Sequence, residues 1–269
     1  MVRDSRITMG ERPMRYLHAG SGWPVLLLHA FPFSAEMWRE QLERVPEGWQ
    51  FIAPDLRGFG PEASRSGPPA LTLDDMAADV VRLLDALEIE RAVIGGLSMG
   101  GYVTFALFRA APERFSGMVL ADTRPQADTA GGRDGRLEMI ERARRGGSAA
   151  VAGAMLPKLL GSTTKARRPA LIARVREMIE RERVEGIVAA LEAMLARPDS
   201  TTDLARISCP ALVMAGDEDA ITPVADAELM QNHIARSRLV VLPEAGHLSN
   251  LEAPDGFTLA LSDFLASNL

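Results

Sequence analysis

The chain has 269 residues, 47% of them hydrophobic and 25% charged, and a net charge of −6. The length suits one catalytic domain with an insertion, or two small domains, and the acidic balance argues against the broad basic surface that nucleic acid requires. A single cysteine, Cys209, excludes an intrachain disulfide, and no apolar run approaches the ~20 residues that span a bilayer.

The first residues lack the apolar stretch of a signal peptide, so a cytoplasmic protein that does not engage membranes is expected. Residues 6–17 suit an antiparallel hairpin with Gly10-Glu11 as its turn. Residues 24–30 form an unbroken apolar run, the pattern of a strand buried on both faces. Further strands are predicted at 50–53, 92–95, 117–121, 211–215 and 238–242, and helices at 35–45, 73–87, 99–111 and 255–265. The clearest helix is 73–87. Thr72 suits its N-cap, Asp74 and Asp75 suit its positive end, and Met76, Val80, Leu83, Leu84 and Leu87 share one stripe. Strands alternating with helices predict an α/β fold, a mostly parallel twisted sheet with helices on both faces. Cys209 stands just before one of these strands and reads as a small packing residue, not a reactive thiol.

The alternation stops between residues 124 and 205, where the pattern is helical and is punctuated by Gly131-Gly132, Gly146-Gly147 and Pro169. This stretch holds fifteen Lys/Arg and eleven Asp/Glu, about +4, which leaves about −10 for the rest of the chain. It contains no Phe, Tyr, Trp or His. The expected organisation is a core of residues 1–123 and 206–269 with a helical cap, or lid, of residues 124–205 inserted between two core strands.

Gly96-Leu97-Ser98-Met99-Gly100 follows a predicted strand and opens a predicted helix. In that context G-x-S-x-G is a nucleophile elbow: the sharp turn requires glycines at its flanks and pushes the serine hydroxyl out of the backbone. A hydroxyl needs a base to take its proton. Of the four histidines, His18 and His233 suit surface positions and His29 ends a buried strand. His247 follows the strand 238–242 in a Gly-containing loop, at the carboxyl end of a strand where sites form in open α/β sheets. A carboxylate must then orient the imidazole. Asp219, fourth in Gly216-Asp217-Glu218-Asp219, is preferred; Asp217 and Glu218 suit solvated turn residues, and Asp122, at the end of another strand, is a further candidate. Donors for a developing oxyanion are expected from the backbone N–H groups of Met99 and Phe31.

Five stretches together resemble the α/β-hydrolase superfamily: Leu26-Leu27-Leu28-His29-Ala30-Phe31-Pro32, Pro54-Asp55-Leu56-Arg57-Gly58-Phe59-Gly60, Gly95-Gly96-Leu97-Ser98-Met99-Gly100-Gly101, Ala215-Gly216-Asp217-Glu218-Asp219 and Gly246-His247. The resemblance is to the group that includes 3-oxoadipate enol-lactonases, small carboxylesterases and cofactor-free haloperoxidases (perhydrolases). It implies the α/β-hydrolase fold, a Ser98–Asp219–His247 triad, oxyanion donors at Phe31 and Met99, and cleavage of a small-molecule carboxylic ester or lactone without metal or organic cofactor. Two rival readings share the same residues, a perhydrolase and a ligand-binding protein with little turnover. Ala30 departs from the family's usual glycine, and its methyl restricts the oxyanion loop. The resemblance makes residues 124–205 the cap over the site. Since that cap is free of aromatics, substrate contacts are expected from Phe31, Phe33, Trp38 and Tyr102 of the core and from cap methionines such as Met139, Met155, Met178 and Met194. Exposed cap helices also offer a surface for a homodimer.

Overall fold

The computed structural model of the chain describes residues 1–9, 12–63 and 70–268. Strand β1 (Arg3–Met9) pairs antiparallel with β2 (Arg12–Gly20), and Arg3 lies opposite His18; the anticipated turn at Gly10-Glu11 lies outside the described residues. Strand β3 (Trp23–Leu28) is followed by a 3-10 turn (Ala35–Trp38), helix α1 (Arg39–Leu42) and β4 (Trp49–Pro54). The single helix expected over 35–45 is thus a 3-10 turn and one short α-turn. Val45 precedes Pro46, and the residue before a proline is forced away from helical angles.

Helix α2 (Leu73–Ala86) begins with a reciprocal cap. The Asp75 N–H donates to Thr72 Oγ1 at 3.0 Å, and the Thr72 N–H donates to Asp75 Oδ2 at 2.9 Å. Its stripe of Met76, Val80, Leu83 and Leu84 is fully buried. Strand β5 (Ala92–Leu97), helix α3 (Met99–Ala110) and β6 (Phe115–Ala121) follow, and Pro112 prevents α3 from continuing.

Between β6 and β7 the described chain is helical: α4 (Ala130–Leu159), α5 (Ser162–Arg167), α6 (Pro169–Glu180), α7 (Val184–Leu195) and a 3-10 turn (Thr201–Arg206). Gly131-Gly132 does not interrupt α4, because Thr129 caps the helix by accepting from the Gly132 N–H at 3.2 Å. Gly146-Gly147 does mark a break: Gly147 has φ 68°, and α4 kinks there. Pro169 opens α6, where its missing N–H costs nothing. Helix α4 packs on α6 and α7, and α7 touches α2.

The chain ends with β7 (Ala211–Gly216), α8 (Val224–His233), β8 (Ser237–Leu242), α9 (Ser249–Glu252) and α10 (Pro254–Asn268). Among the described residues eight strands lie in the order β1-β2-β4-β3-β5-β6-β7-β8, parallel from β4 onward. The chain runs outward from β3 to β4 and then, from β5, in the opposite direction. Order therefore reverses between β3 and β5, and a crevice opens at the carboxyl ends of such a pair. Helix α3 packs on β3 and β5, and α8 packs on β7 and β8. Val25, Leu26, Leu27, Leu28, Val93 and Ile94 are wholly buried. Each large side chain buried there contributes about 1.5–3 kcal/mol, so these residues anchor the strands whose ends carry the loops after β3 and β5.

Candidate active site

Ser98 stands between β5 and α3 with φ 55° and ψ −112°. A non-glycine residue held there costs about 1–3 kcal/mol and persists only when its surroundings over-determine it. They do so here. The Ser98 N–H donates to Ala121 O at 3.0 Å, while the Ser98 carbonyl accepts from the Gly101 N–H at 2.9 Å, the Tyr102 N–H at 3.2 Å and Thr123 Oγ1 at 2.9 Å. The flanking glycines are needed for close approach. A Cβ on Gly96 would stand 2.4 Å from the Gly100 carbonyl carbon, and one on Gly100 would stand 2.1 Å from Leu28 O. The turn thus leaves Ser98 half-buried between fully buried neighbours.

The loop after β8 brings His247 to this hydroxyl. Ser98 Oγ lies 2.8 Å from His247 Nε2, and His247 Nδ1 lies 2.8 Å from Asp219 Oδ2. An ionised Asp219 can only accept, so Nδ1 carries the proton and Nε2 is free to accept from Ser98. Asp219, in the loop after β7, also accepts from the Ile221 N–H at 2.7 Å, the Thr222 N–H at 3.0 Å and Thr222 Oγ1 at 2.6 Å. Burial alone would raise its pKa, but the charge of His247 and these hydrogen bonds hold the carboxyl below the usual carboxylate range. For His247 burial favours the neutral ring, yet Asp219 outweighs it and raises the ring's affinity for a proton.

Residues 24–254 match the alpha/beta hydrolase fold family. The chain belongs to that family. 3-Oxoadipate enol-lactonase 2 of Acinetobacter baylyi is 32% identical over 225 residues, 84% of this chain and 82% of that protein. A thermophilic esterase from Thermogutta terrifontis, solved with malate bound, superposes with a TM-score of 0.92 at 39% identity, with 98% of each chain covered. The enol-lactonase from Burkholderia xenovorans LB400 superposes with a TM-score of 0.89 at 27% identity, covering 98% of this chain and 100% of that one.

In this α/β hydrolase the other sequence candidates fall in distinct places. Asp217 accepts from the Ala245 N–H at 3.4 Å. Glu218 is not a freely solvated turn residue: it accepts from the Thr163 N–H at 2.8 Å and Thr163 Oγ1 at 2.6 Å, tying the loop to α5. Asp122 does not bond His247; it is buried beside the site, bonded to Gly216 and Ser249. His29 is a buried brace. Its Nδ1–H donates to Ala30 O at 2.9 Å, its Nε2 accepts from the Leu56 N–H at 2.9 Å, and burial lowers its pKa to about 4. His18 bonds Ser5 Oγ at 3.0 Å in the hairpin, and His233 is exposed on α8. Cys209 is a protonated thiol, pushed up to about 11 by burial. Gly246 serves close packing: a Cβ there would stand 2.3 Å from Gly161 N.

Phe31 and Phe33 are buried in the loop after β3, and the Phe31 ring meets Phe59 edge-on at 6.3 Å. Ala30, at the family's glycine position, is fully buried and donates its N–H to Met37 Sδ at 3.1 Å. Trp38 packs against Phe257 at 5.7 Å, and Tyr102 lies under the Arg197 guanidinium at 4.0 Å. Met139 and Met155 are half-buried on α4 and pack against the core. Met178 and Met194, on α6 and α7, are buried. Met99 opens α3, where first-turn N–H groups have no intrahelical acceptor. Among the described residues no three His, Cys, Asp or Glu side chains form a metal-holding group, and no helix is long and apolar enough to cross a membrane.

Three supports were missed in sequence: Thr222 on Asp219, Thr123 on the Ser98 carbonyl, and Leu159, whose carbonyl accepts from the His247 N–H at 3.0 Å. Thr222 left a signal, because a Thr three residues after an Asp can close a local hydrogen-bonded turn. Thr123 and Leu159 left none.

Proposed function

We propose that this α/β hydrolase is a serine hydrolase that cleaves a carboxylic ester or lactone through an acyl-serine intermediate. The observation that carries the reading is the unbroken chain of 2.8 Å contacts from Ser98 Oγ through the His247 ring to Asp219. Relatives named enol-lactonase and esterase support the substrate class.

In this reading Ser98 Oγ attacks the carbonyl carbon while His247 Nε2 takes its proton, and Asp219 steadies the imidazolium. The backbone N–H groups of Phe31 and Met99 hold the oxyanion. The intermediate collapses, the C–O bond breaks, and the alkoxide leaves with the proton from His247; in a lactone it stays tethered to the acyl group. Water, deprotonated by the same ring, then attacks the acyl-serine and frees the acid. Residues 124–205 act as the cap that shapes the acyl pocket, with Phe33, Tyr102, Met139 and Met155 as candidate lining. Trp38 is the weakest candidate, since its ring is spent on Phe257.

The test is hydrolysis of a p-nitrophenyl ester series by the wild type and Ser98→Ala. The wild type is expected to turn over, with a chain-length optimum set by the cap. Ser98→Ala should lose about three or more orders of magnitude in kcat with its fold intact. Equal rates from the two proteins would overturn the reading.

A further inference from the structure

The mechanism leaves one buried carboxyl beside the site unused. Asp122 directly follows β6, is 1% exposed, and adopts φ 43°, a left-handed backbone that an aspartate holds only at a cost. Its main chain continues the sheet, since its N–H donates to Met214 O at 2.9 Å. Its side chain reaches two other segments. Oδ1 accepts from the Gly216 N–H at 2.9 Å, and Oδ2 bonds Ser249 Oγ closely. Gly216 opens the turn that carries Asp219, and Ser249 stands two residues after His247.

The residues on either side of Asp122 attend to the nucleophile. Ala121 O accepts from the Ser98 N–H at 3.0 Å, and Thr123 Oγ1 donates to the Ser98 carbonyl at 2.9 Å. Three consecutive residues at the end of one strand therefore touch the segments carrying Ser98, Asp219 and His247.

We propose that Asp122 is a positioning residue: its carboxyl group ties the Asp219 loop to the His247 loop and holds that pair in register with Ser98. The proposal rests on the hydrolase reading above for its kinetic consequences. Two features separate this role from that of a spare triad acid. Asp122 makes no bond to the His247 ring, whose Nδ1 is taken by Asp219. It is also best suited to act uncharged. Burial, and then the charge of Asp219, push its pKa up to about 8, against the opposing pull of His247 and of the Ser249 and Gly216 hydrogen bonds. In the structure Ser249 Oγ donates to Asp122 Oδ2; an asparagine keeps both ties by accepting from Gly216 through Oδ1 and donating through Nδ2 to a Ser249 hydroxyl turned to accept. An alanine can do neither.

The experiment compares wild type, Asp122→Ala, Asp122→Asn and Ser249→Ala by ester hydrolysis, by thermal melting, and by the low-field proton resonance of the His247 Nδ1–H. Asp122→Ala is expected to lose about tenfold or more in kcat while KM moves less than about threefold. Asp122→Asn should recover most of that loss, and Ser249→Ala, which cuts one tie, should lose about threefold or more. The low-field resonance should weaken or shift in Asp122→Ala and return in Asp122→Asn. If Asp122→Ala does not fold, the asparagine and Ser249 variants carry the test. A kcat for Asp122→Ala within about twofold of wild type, an asparagine variant as impaired as alanine, or a KM change matching the kcat change overturns the proposal. The resonance keeps the two readings apart. A wild type inactive on esters whose resonance still depends on Asp122 defeats the hydrolase reading and leaves the positioning role standing. An active wild type whose resonance and kcat are indifferent to Asp122 does the reverse.

Discussion

His247 sits between two oxygens, each 2.8 Å away, that make opposite demands on it: as the proposed general base it must keep Nε2 free for Ser98, and Asp219 favours a charged ring. The ring is 2% exposed, and burial pulls toward the neutral form, but Asp219 prevails and raises the pKa above its ordinary value. A general base works only when deprotonated, so a raised pKa moves the acidic limb of the rate profile to higher pH. The expected midpoint of kcat/KM, which reports the free enzyme, lies above about 6.5. A midpoint below that value would show that Asp219 does not dominate the ring. That Ser98, His247 and Asp219 would meet was legible in sequence, because each follows a recognisable strand in a turn whose chemistry is local. Thr123, Ser249 and Leu159 were not legible. Each acts on a partner distant in sequence, and a serine or a leucine carbonyl has no motif until the fold supplies that partner.

Glu182 does for helices α6 and α7 what no local pattern announces. It lies between them, 7% exposed, and its carboxylate accepts from the Gly60 N–H at 2.9 Å in the loop after β4. A Cβ on nearby Gly186 would stand 1.8 Å from Gly58 O, so the backbones themselves touch. Burial pushes Glu182 up to about 7 from its ordinary value of 4.5. Ser34, Asp55 and Arg15 also face it. A folded-state pKa above the unfolded one means stability that is full below about 4.5 and is lost as pH rises through about 7. Glu182→Gln keeps the acceptor and removes the charge. Its melting temperature is therefore expected to overtake the wild type's by several degrees between acidic pH and pH of about 8. Parallel melting curves at all pH values would contradict this. At this scale the sequence was most readable where an element closes on itself. Thr72 and Asp75 cap α2 within four residues, and the apolar runs of β3 and β5 declare their own burial. It was least readable where neighbours decide, as in α4, which runs through one glycine pair and kinks at the next.

Across the whole molecule, the helical stretch between β6 and β7 is bonded to the loops that carry His247 and Asp219. Where α4 ends, Leu159 O accepts from the His247 N–H at 3.0 Å, and the Gly161 N–H donates to Glu252 Oε2 at 2.8 Å. Thr163 bonds Glu218 in the Asp219 loop, and Arg168 donates to Glu252 O at 2.6 Å. Residues 159–168 thus brace both loops that meet on the imidazole. The tightest point of this joint is Gly246, whose Cβ would stand 2.3 Å from Gly161 N and 2.8 Å from the Leu160 carbonyl carbon. Both obstacles are backbone, and neither can swing aside as a side chain would. Gly246→Ala must therefore displace the His247 loop, which moves His247 relative to Ser98, or push the insertion away, which takes the Leu159 carbonyl from the His247 N–H. The expected result is a loss of about tenfold or more in kcat together with a melting temperature lower by several degrees. Gly153→Ala is the matched control. That glycine lies within α4 with nothing inside 4 Å of its Cβ position, so alanine there should leave kcat alone and add about 0.5–1 kcal/mol of stability. If Gly246→Ala behaves like Gly153→Ala, the joint is compliant, and the insertion does not hold the candidate site together.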